Sequence, residues 1–331
     1  MFSTAAMTDP SRANRSRGTV LGVFAILLWA TSVAGSRVFL EGFGLLVGLA
    51  ILFLVAGTSL VGTATLQSRG FAWVRRVSKR HVVVAGPFYV AYMLSAYSAF
   101  GLAATRADAI VAGLANYLWP SMILLFSIVI LGTRPRRTLL FVGIASAVLG
   151  IALASSSSVG GISALIPALA SPSLSTGLGL TAAVVFGLYS VLARRLKQPE
   201  PCGAIGLFLL FAGVLMSIVS GRAWGQIIWA WKPTVSLLYM ALLPNALAYW
   251  AWETGVRDGD IVALGALSNV TPILSALIAA VFLGVGMRLE LLMGALLVVL
   301  GSFLAWWAFP ASERRKEAGR ADTVSAEGGS R

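Results

Sequence analysis

Charge is scarce in this chain, and the side chains that usually carry redox or hydrolytic chemistry are scarcer still. Only 11% of the 331 residues are charged, with one cysteine and one histidine, while 58% are hydrophobic. A soluble domain of this length needs far more polar surface, so lipid must solvate most of the chain. The lone cysteine, Cys202, excludes an intramolecular disulfide. His81 closes a basic stretch, RRVSKRH, and reads as a solvated loop residue, not a catalytic base. HExxH, GxSxG and Walker signatures are absent, and so is a mid-membrane aspartate pair. An intramembrane hydrolase or an ATP-driven pump is therefore disfavoured, and no enzyme activity, metal or cofactor is expected.

What the chain does have is apolar length. Ten stretches, near 18–40, 44–66, 82–103, 108–131, 138–155, 174–196, 201–221, 234–256, 260–284 and 287–309, are long enough for a hydrocarbon core of ~30 Å. Unbroken runs of this kind satisfy the backbone as helices, which predicts an all-α polytopic membrane protein with ten transmembrane helices. The formal charge of +13 suggests nucleic acid until its placement is read. With the N-terminus inside, 20 of the 25 Lys and Arg fall on the inner side, and only Arg37, Arg106, Arg222, Lys232 and Arg288 lie outside. That asymmetry predicts a multi-pass protein of a bacterial-type inner membrane with both termini cytoplasmic. Met1 to Arg17 is not expected to be a cleaved leader, because the following apolar stretch is too long and nine more succeed it.

The spans repeat. Aligning Pro87 with Pro244 also pairs Ala91 with Ala248 and Tyr92 with Tyr249. Pro120 with Pro272 pairs Asp108 with Asp260, Gly113 with Gly265, and Leu131-Gly132 with Leu283-Gly284. Gly143 meets Gly294, Val148-Leu149-Gly150 meets Val299-Leu300-Gly301, and Ser32, Val33 and Arg37 meet Ser190, Val191 and Arg195. These matches keep one order at offsets between 151 and 158. Five spans per half is an odd number, so the second half enters with opposite polarity, as in the inverted repeats of secondary transporters. The expected layout is a cytoplasmic N-tail (1–17), a first repeat (18–155), an external linker (156–173), a second inverted repeat (174–309) and a disordered cytoplasmic tail (310–331). In the linker, Ile162, Leu165, Ile166 and Leu169 fit either a short interfacial helix or a plain connection.

At these residues the chain resembles the EamA-type branch of the drug/metabolite transporter superfamily. NYLWPSMILL, preceded by GLAATRADAIVAGLA, is similar to the YddG-type aromatic amino acid exporters, as are VAYM in the third span and NVTPILSALIAAV in the ninth. The likeness covers roughly residues 18–309. It implies the EamA fold and outward transport of amino acids.

The candidate site is read from the residues that a lipid-facing helix would avoid. Pro120 removes a backbone donor and clashes with the carbonyl of Asn116, so the fourth span should kink there. Pro272 repeats this after Ser268 and Asn269, Pro244 precedes Asn245, and Pro87 is the mate of Pro244. Two roles fit Asn116: contact with a zwitterionic ligand, or satisfaction of its own kink. Trp29, Tyr92, Tyr117, Trp119, Tyr189 and Tyr249, with Asn116, Asn245, Ser268 and Asn269, are the candidate substrate contacts. Trp73, Trp224, Trp229, Trp231, Trp306 and Trp307 are expected at the membrane interfaces. Gly44 and Gly48 are read as helix packing. The lysines are 79, 197, 232 and 316, and no charge falls at mid-span, which disfavours phosphate-bearing substrates. Glu253 is either an interfacial partner of Arg257 or a coupling group. Facilitated transport of aromatic amino acids by a monomer is the expectation, with the lipid bilayer and a small molecule as partners and no nucleic acid. A broad-specificity drug or metabolite exporter and a non-transporting structural subunit are the alternatives.

Overall fold

The computed structural model describes residues 10–132, 134–159, 163, 166, 172–196, 201–227, 229–258, 264, 267, 268 and 270–309. Residues 1–9 of the N-tail, the C-tail, most of the 156–173 linker and Asn269 lie outside the described residues, while 10–17 form the start of a helix. The described chain is helical with no strand, as the apolar runs require. Among the described residues, seven helical segments are long and apolar enough to cross a membrane, or eight if one bent pair is a single span. Large apolar side chains cover their outer faces: Val129, Phe141, Ile218, Val281 and Phe282 are between 73% and 82% exposed. Water would penalise such a surface and hydrocarbon would not, so this is a multi-pass membrane protein.

Several expected spans are interrupted. The first consists of α1 (Pro10–Ala30) and α2 (Ser32–Phe43), whose arms bend by 43° at Thr31. Here Thr31 Oγ1 donates to the Leu28 carbonyl at 2.7 Å, a side-chain bond that competes with the helix ladder. Then come α3 (Leu45–Gln67), α4 (Lys79–Val84) and α5 (Gly86–Gly101). The fourth span is α6 (Arg106–Asn116) and α7 (Trp119–Leu131), broken at Tyr117-Leu118. Helices α8 (Arg137–Val159), α9 (Leu174–Leu196) and α10 (Pro201–Ser220) are continuous. The eighth span is α11 (Trp231–Leu242), a π-turn over Leu243–Leu247, and α12 (Ala248–Asp258). Helices α13 (Thr271–Leu283) and α14 (Leu289–Trp307) complete the described chain.

Pro87, Pro120 and Pro272 do not kink running helices. They occupy the first turns of α5, α7 and α13, where a missing N–H costs nothing. Only Pro244 lies within a span that continues, and there the Ala248 N–H reaches five residues back to Leu243. Gly44 departs from its expected packing role. It sits between α2 and α3 with φ 71°, and a Cβ there would meet nothing within 4 Å. The Leu-Gly pairs that matched between halves do similar local work: Gly132 and Gly284 end α7 and α13 in left-handed conformations.

Packing joins the two halves throughout. Helix α8 lies against α14 and α3 against α10; α1 and α2 lie against α12 and α11; and α9 lies against α5, α6 and α7. Helix α13 rests on α1, α2 and α6. In the α8–α14 contact, Gly143 faces Gly301 and Gly150 faces Gly294, so closely that a Cβ at any of the four would lie under 3.0 Å from partner backbone. Lipid tails are as apolar as leucine, so close backbone contact, not burial from water, holds such helices together. Gly150→Val should therefore lower stability by about 1–3 kcal/mol, read as a lower melting temperature in detergent. Gly62→Ala, where an added Cβ meets nothing within 4 Å, should be neutral or stabilising by up to about 1 kcal/mol.

Candidate functional site

The interruptions of three spans meet at one tryptophan. Trp29, two residues before the Thr31 bend, donates its indole N–H to the Pro244 carbonyl in the π-turn at 3.0 Å. The Trp29 carbonyl accepts from Tyr117 Oη, at the break between α6 and α7, at 3.2 Å. Thr31 Oγ1 and Tyr239 Oη share a further bond of 2.8 Å. A helix break inside lipid must find new partners for its backbone groups. Here the first, fourth and eighth spans supply partners to one another.

Aromatic rings surround this junction. Trp29 lies 5.3 Å from Tyr249 and from Trp252 between ring centroids. Tyr89 is the hub, at 5.0 Å from Tyr189, 6.1 Å from Tyr249 and 6.2 Å from Tyr92. Phe186 bridges Tyr92 at 4.3 Å and Trp119 at 5.4 Å. Tilted and edge-on pairs of this kind each contribute about 0.5–1.5 kcal/mol beyond simple burial.

Beneath the rings lies a cluster of buried polar atoms. Tyr89 Oη, Asn116 Oδ1 and Ser275 Oγ are buried without a hydrogen-bond partner. Tyr89 stands beside Tyr249, Tyr92 beside Asn116 and Tyr249, and Tyr117 beside Ser275. Most buried polar groups in folded proteins are paired, so a cluster of orphans in an aromatic shell marks a place suited to a polar ligand. No charged side chain takes part among these residues.

Trp29, Tyr92, Asn116, Tyr117, Trp119, Tyr189 and Tyr249 are thus brought together. Asn245 is set to other work: its Nδ2 donates to Tyr97 Oη at 2.6 Å and to the Met240 carbonyl at 2.8 Å, which holds the π-turn. Ser268 is buried at 8% exposure, Asn269 lies outside the described residues, and so do the side chains of Glu253 and Arg257. Sequence reasoning passed over Tyr89, Phe186 and Ser275, and read Trp252 only as lying deeper than an interface anchor. A signal existed for the first two, since Tyr89 and Tyr92, like Phe186 and Tyr189, are three apart and share a helix face.

Two expectations are corrected by burial. Trp73 is no interface anchor; it is 1% exposed, packs on Gly203, and donates to Thr65 Oγ1 at 3.0 Å. His81 is no solvated loop residue. Ser78 caps α4 through the His81 N–H, which turns the ring inward while Val82, Val83 and Val84 face out. The imidazole stacks on Phe208 at 5.8 Å and approaches Tyr189 at 6.3 Å. Burial lowers its pKa below the usual 6.5. The folded chain thus binds a proton less readily than the unfolded one. The resulting stability is complete above about pH 6.5 and is lost as pH falls through the folded value. The melting temperature should fall between pH 7.5 and 5, and His81→Phe should flatten that slope.

At one end of the bundle, Glu41 accepts from Arg37 Nε at 2.8 Å and from Arg106 Nε and Nη2 at 3.1 and 2.8 Å. Arg37 also donates to the Phe100 and Ala103 carbonyls, and Arg106 to that of Leu283, where α5 and α13 end. Positive groups suit those helix C-termini. One carboxylate therefore links the ends of four spans.

Residues 174–307 match the family model of the EamA-like transporter family. The chain is 29% identical over 297 residues to the aromatic amino acid exporter YddG of Salmonella typhimurium, spanning 88% of this chain and 97% of that protein. Identity to the exporter of the same name from Escherichia coli K12 is 29% over 299 residues, 89% of this chain and 98% of that one. With the Ancylobacter novellus protein of that name it is 29% over 280 residues, 81% and 89%. A solved crystal structure, 24% identical, aligns over 89% of this chain and 99% of that chain with a TM-score of 0.61, which shows a shared fold.

Proposed function

We propose that this EamA-type, YddG-like chain of the drug/metabolite transporter superfamily exports aromatic and other neutral amino acids. The observation that carries this reading is the set of orphan polar atoms, Tyr89 Oη, Asn116 Oδ1 and Ser275 Oγ, inside an uncharged aromatic shell. An α-ammonium donates to Asn116 Oδ1 and Ser275 Oγ, an α-carboxylate accepts from Tyr89 Oη, and a flat side chain packs between Trp29, Tyr92 and Trp119. The absence of a cationic clamp among these side chains argues against phosphate-bearing substrates.

The transport cycle we propose is alternating access between two inverted five-span halves. Reciprocal packing supports it: the first span meets the eighth as the sixth meets the third, and the first meets the ninth as the sixth meets the fourth. The bias of Lys and Arg toward one set of loops supports cytoplasmic termini in a bacterial-type inner membrane, an orientation that would put the Glu41 cluster at the external end. We propose transport down the substrate gradient, since among the described residues no carboxylate faces these side chains. An uncharged shell also suits other neutral amphiphiles, and protection of cells from several unrelated ones would favour a broad-specificity exporter.

Reconstituted liposomes test the proposal. Labelled Phe or Trp should enter faster than into empty vesicles, and equal entry would remove the substrate claim. Tyr89→Phe and Asn116→Ala should each slow transport about tenfold, the effect of one hydrogen bond of about 1.4 kcal/mol. Folded protein should be retained, and unchanged rates would assign both groups to packing. An imposed pH gradient should leave flux unaltered, and acceleration would overturn the uncoupled mechanism.

A further inference from the structure

Away from the aromatic site, a groove of about 840 Å³ runs between α7 and α8, walled by Leu125, Ile128, Phe141 and Ile144 and bordered by Arg134 and Arg137. We propose that it holds one anionic phospholipid, with the phosphate on the two arginines and an acyl chain along the apolar wall. The groove opens toward lipid, since Phe141 is 75% exposed. Its floor is firm, because Leu140 is buried against Ala305, Ala308 and Phe309 of the neighbouring span. The head end is firm as well: the Arg136 N–H donates to the Ala308 carbonyl at 2.8 Å, which fixes the backbone from which Arg134 and Arg137 project.

Charge selects the occupant. Three arginines fall within residues 134–137, and no Asp or Glu occurs between Asp108 and Glu200. The same turn is followed by the N-terminus of α8, whose dipole also favours an anion. A zwitterionic headgroup would bring a trimethylammonium group to this cationic edge, whereas phosphatidylglycerol or cardiolipin brings net negative charge. Clustered arginines at the membrane surface beside a groove between spans are the chemistry that retains anionic lipids.

Native mass spectrometry of the full chain released from nonionic detergent, with phosphatidylglycerol or phosphatidylcholine added, tests the assignment. Phosphatidylglycerol adducts should persist, and that lipid should raise the melting temperature more than phosphatidylcholine does. Arg134→Gln together with Arg137→Gln should weaken adduct retention about tenfold, whereas Arg222→Gln, an exposed arginine elsewhere, should leave it unchanged. Equal retention by wild type and the double variant would overturn the proposal, as would equal effects of the two lipids. A melting shift reproduced by inorganic phosphate alone would reassign the arginines to a free-anion site. Because none of the aromatic-site residues lines this groove, a lipid result of either sign leaves the transport reading to its own assay.

Discussion

A backbone carbonyl freed inside hydrocarbon has no water to accept from, and the breaks at Thr31, Tyr117-Leu118 and Leu243–Leu247 answer to that constraint. Trp29 answers it twice, giving its indole N–H to Pro244 in the π-turn and its own carbonyl to Tyr117 at the fourth-span break. These two bonds make the interruptions interdependent and bring their flanking side chains to one place. Tryptophan suits the task because one polar donor sits on a large apolar body that can remain among other rings. The shell of Tyr249, Trp252 and Tyr89 follows from where the breaks must meet.

The frame around this junction is held by different chemistry. Helices α3, α8, α10 and α14 run without interruption and pair through glycines that admit close backbone contact. At the centre the first, fourth and eighth spans are jointed, while α9 is continuous. A jointed interior inside a stiff frame can rearrange without dismantling the contacts between α8 and α14. The Glu41 clasp belongs to the jointed part, linking α2 to α6 directly and reaching α5 and α13 through its arginines. Its charges are partly solvated, with side-chain exposures of 33% for Glu41 and 48% for Arg106. Pairs of that kind are worth about 1 kcal/mol or less and weaken in salt. Such a link can be broken at small cost.

The helical class, the apolar runs and the glycine matches were legible because they depend on composition and spacing. So was much of the aromatic site, since Trp29, Asn116, Tyr117, Trp119 and Tyr249 lie beside residues that break helices. What local pattern could not separate was the use of similar residues. Asn116 and Asn245 both sit near prolines, yet Asn245 is committed to Tyr97 and Met240 while Asn116 keeps a free oxygen. Trp73 and His81 sit in a basic loop whose composition looks solvated, and only the packing of α3, α9 and α10 buries them. The bend at Thr31 has neither proline nor glycine beside it, so it left no mark in the helix pattern.

Neutrality ties the site to its energetics. A charge crossing the membrane field exchanges about 2.3 kcal/mol per 100 mV, enough to trap a charged carrier on one side. No described side chain in the aromatic site brings a charge, and the proposed zwitterion has none in sum. Loaded and empty forms would therefore reorient without net movement of charge, and the potential would neither drive nor stall them. What distinguishes the two forms is local. Tyr89 Oη, Asn116 Oδ1 and Ser275 Oγ lie buried there without a protein hydrogen bond of good geometry, and polar atoms of that kind gain by meeting a polar ligand. On the proposed reading, selectivity for an amino-acid head would come from those polar atoms, and tolerance of flat side chains from the rings above them.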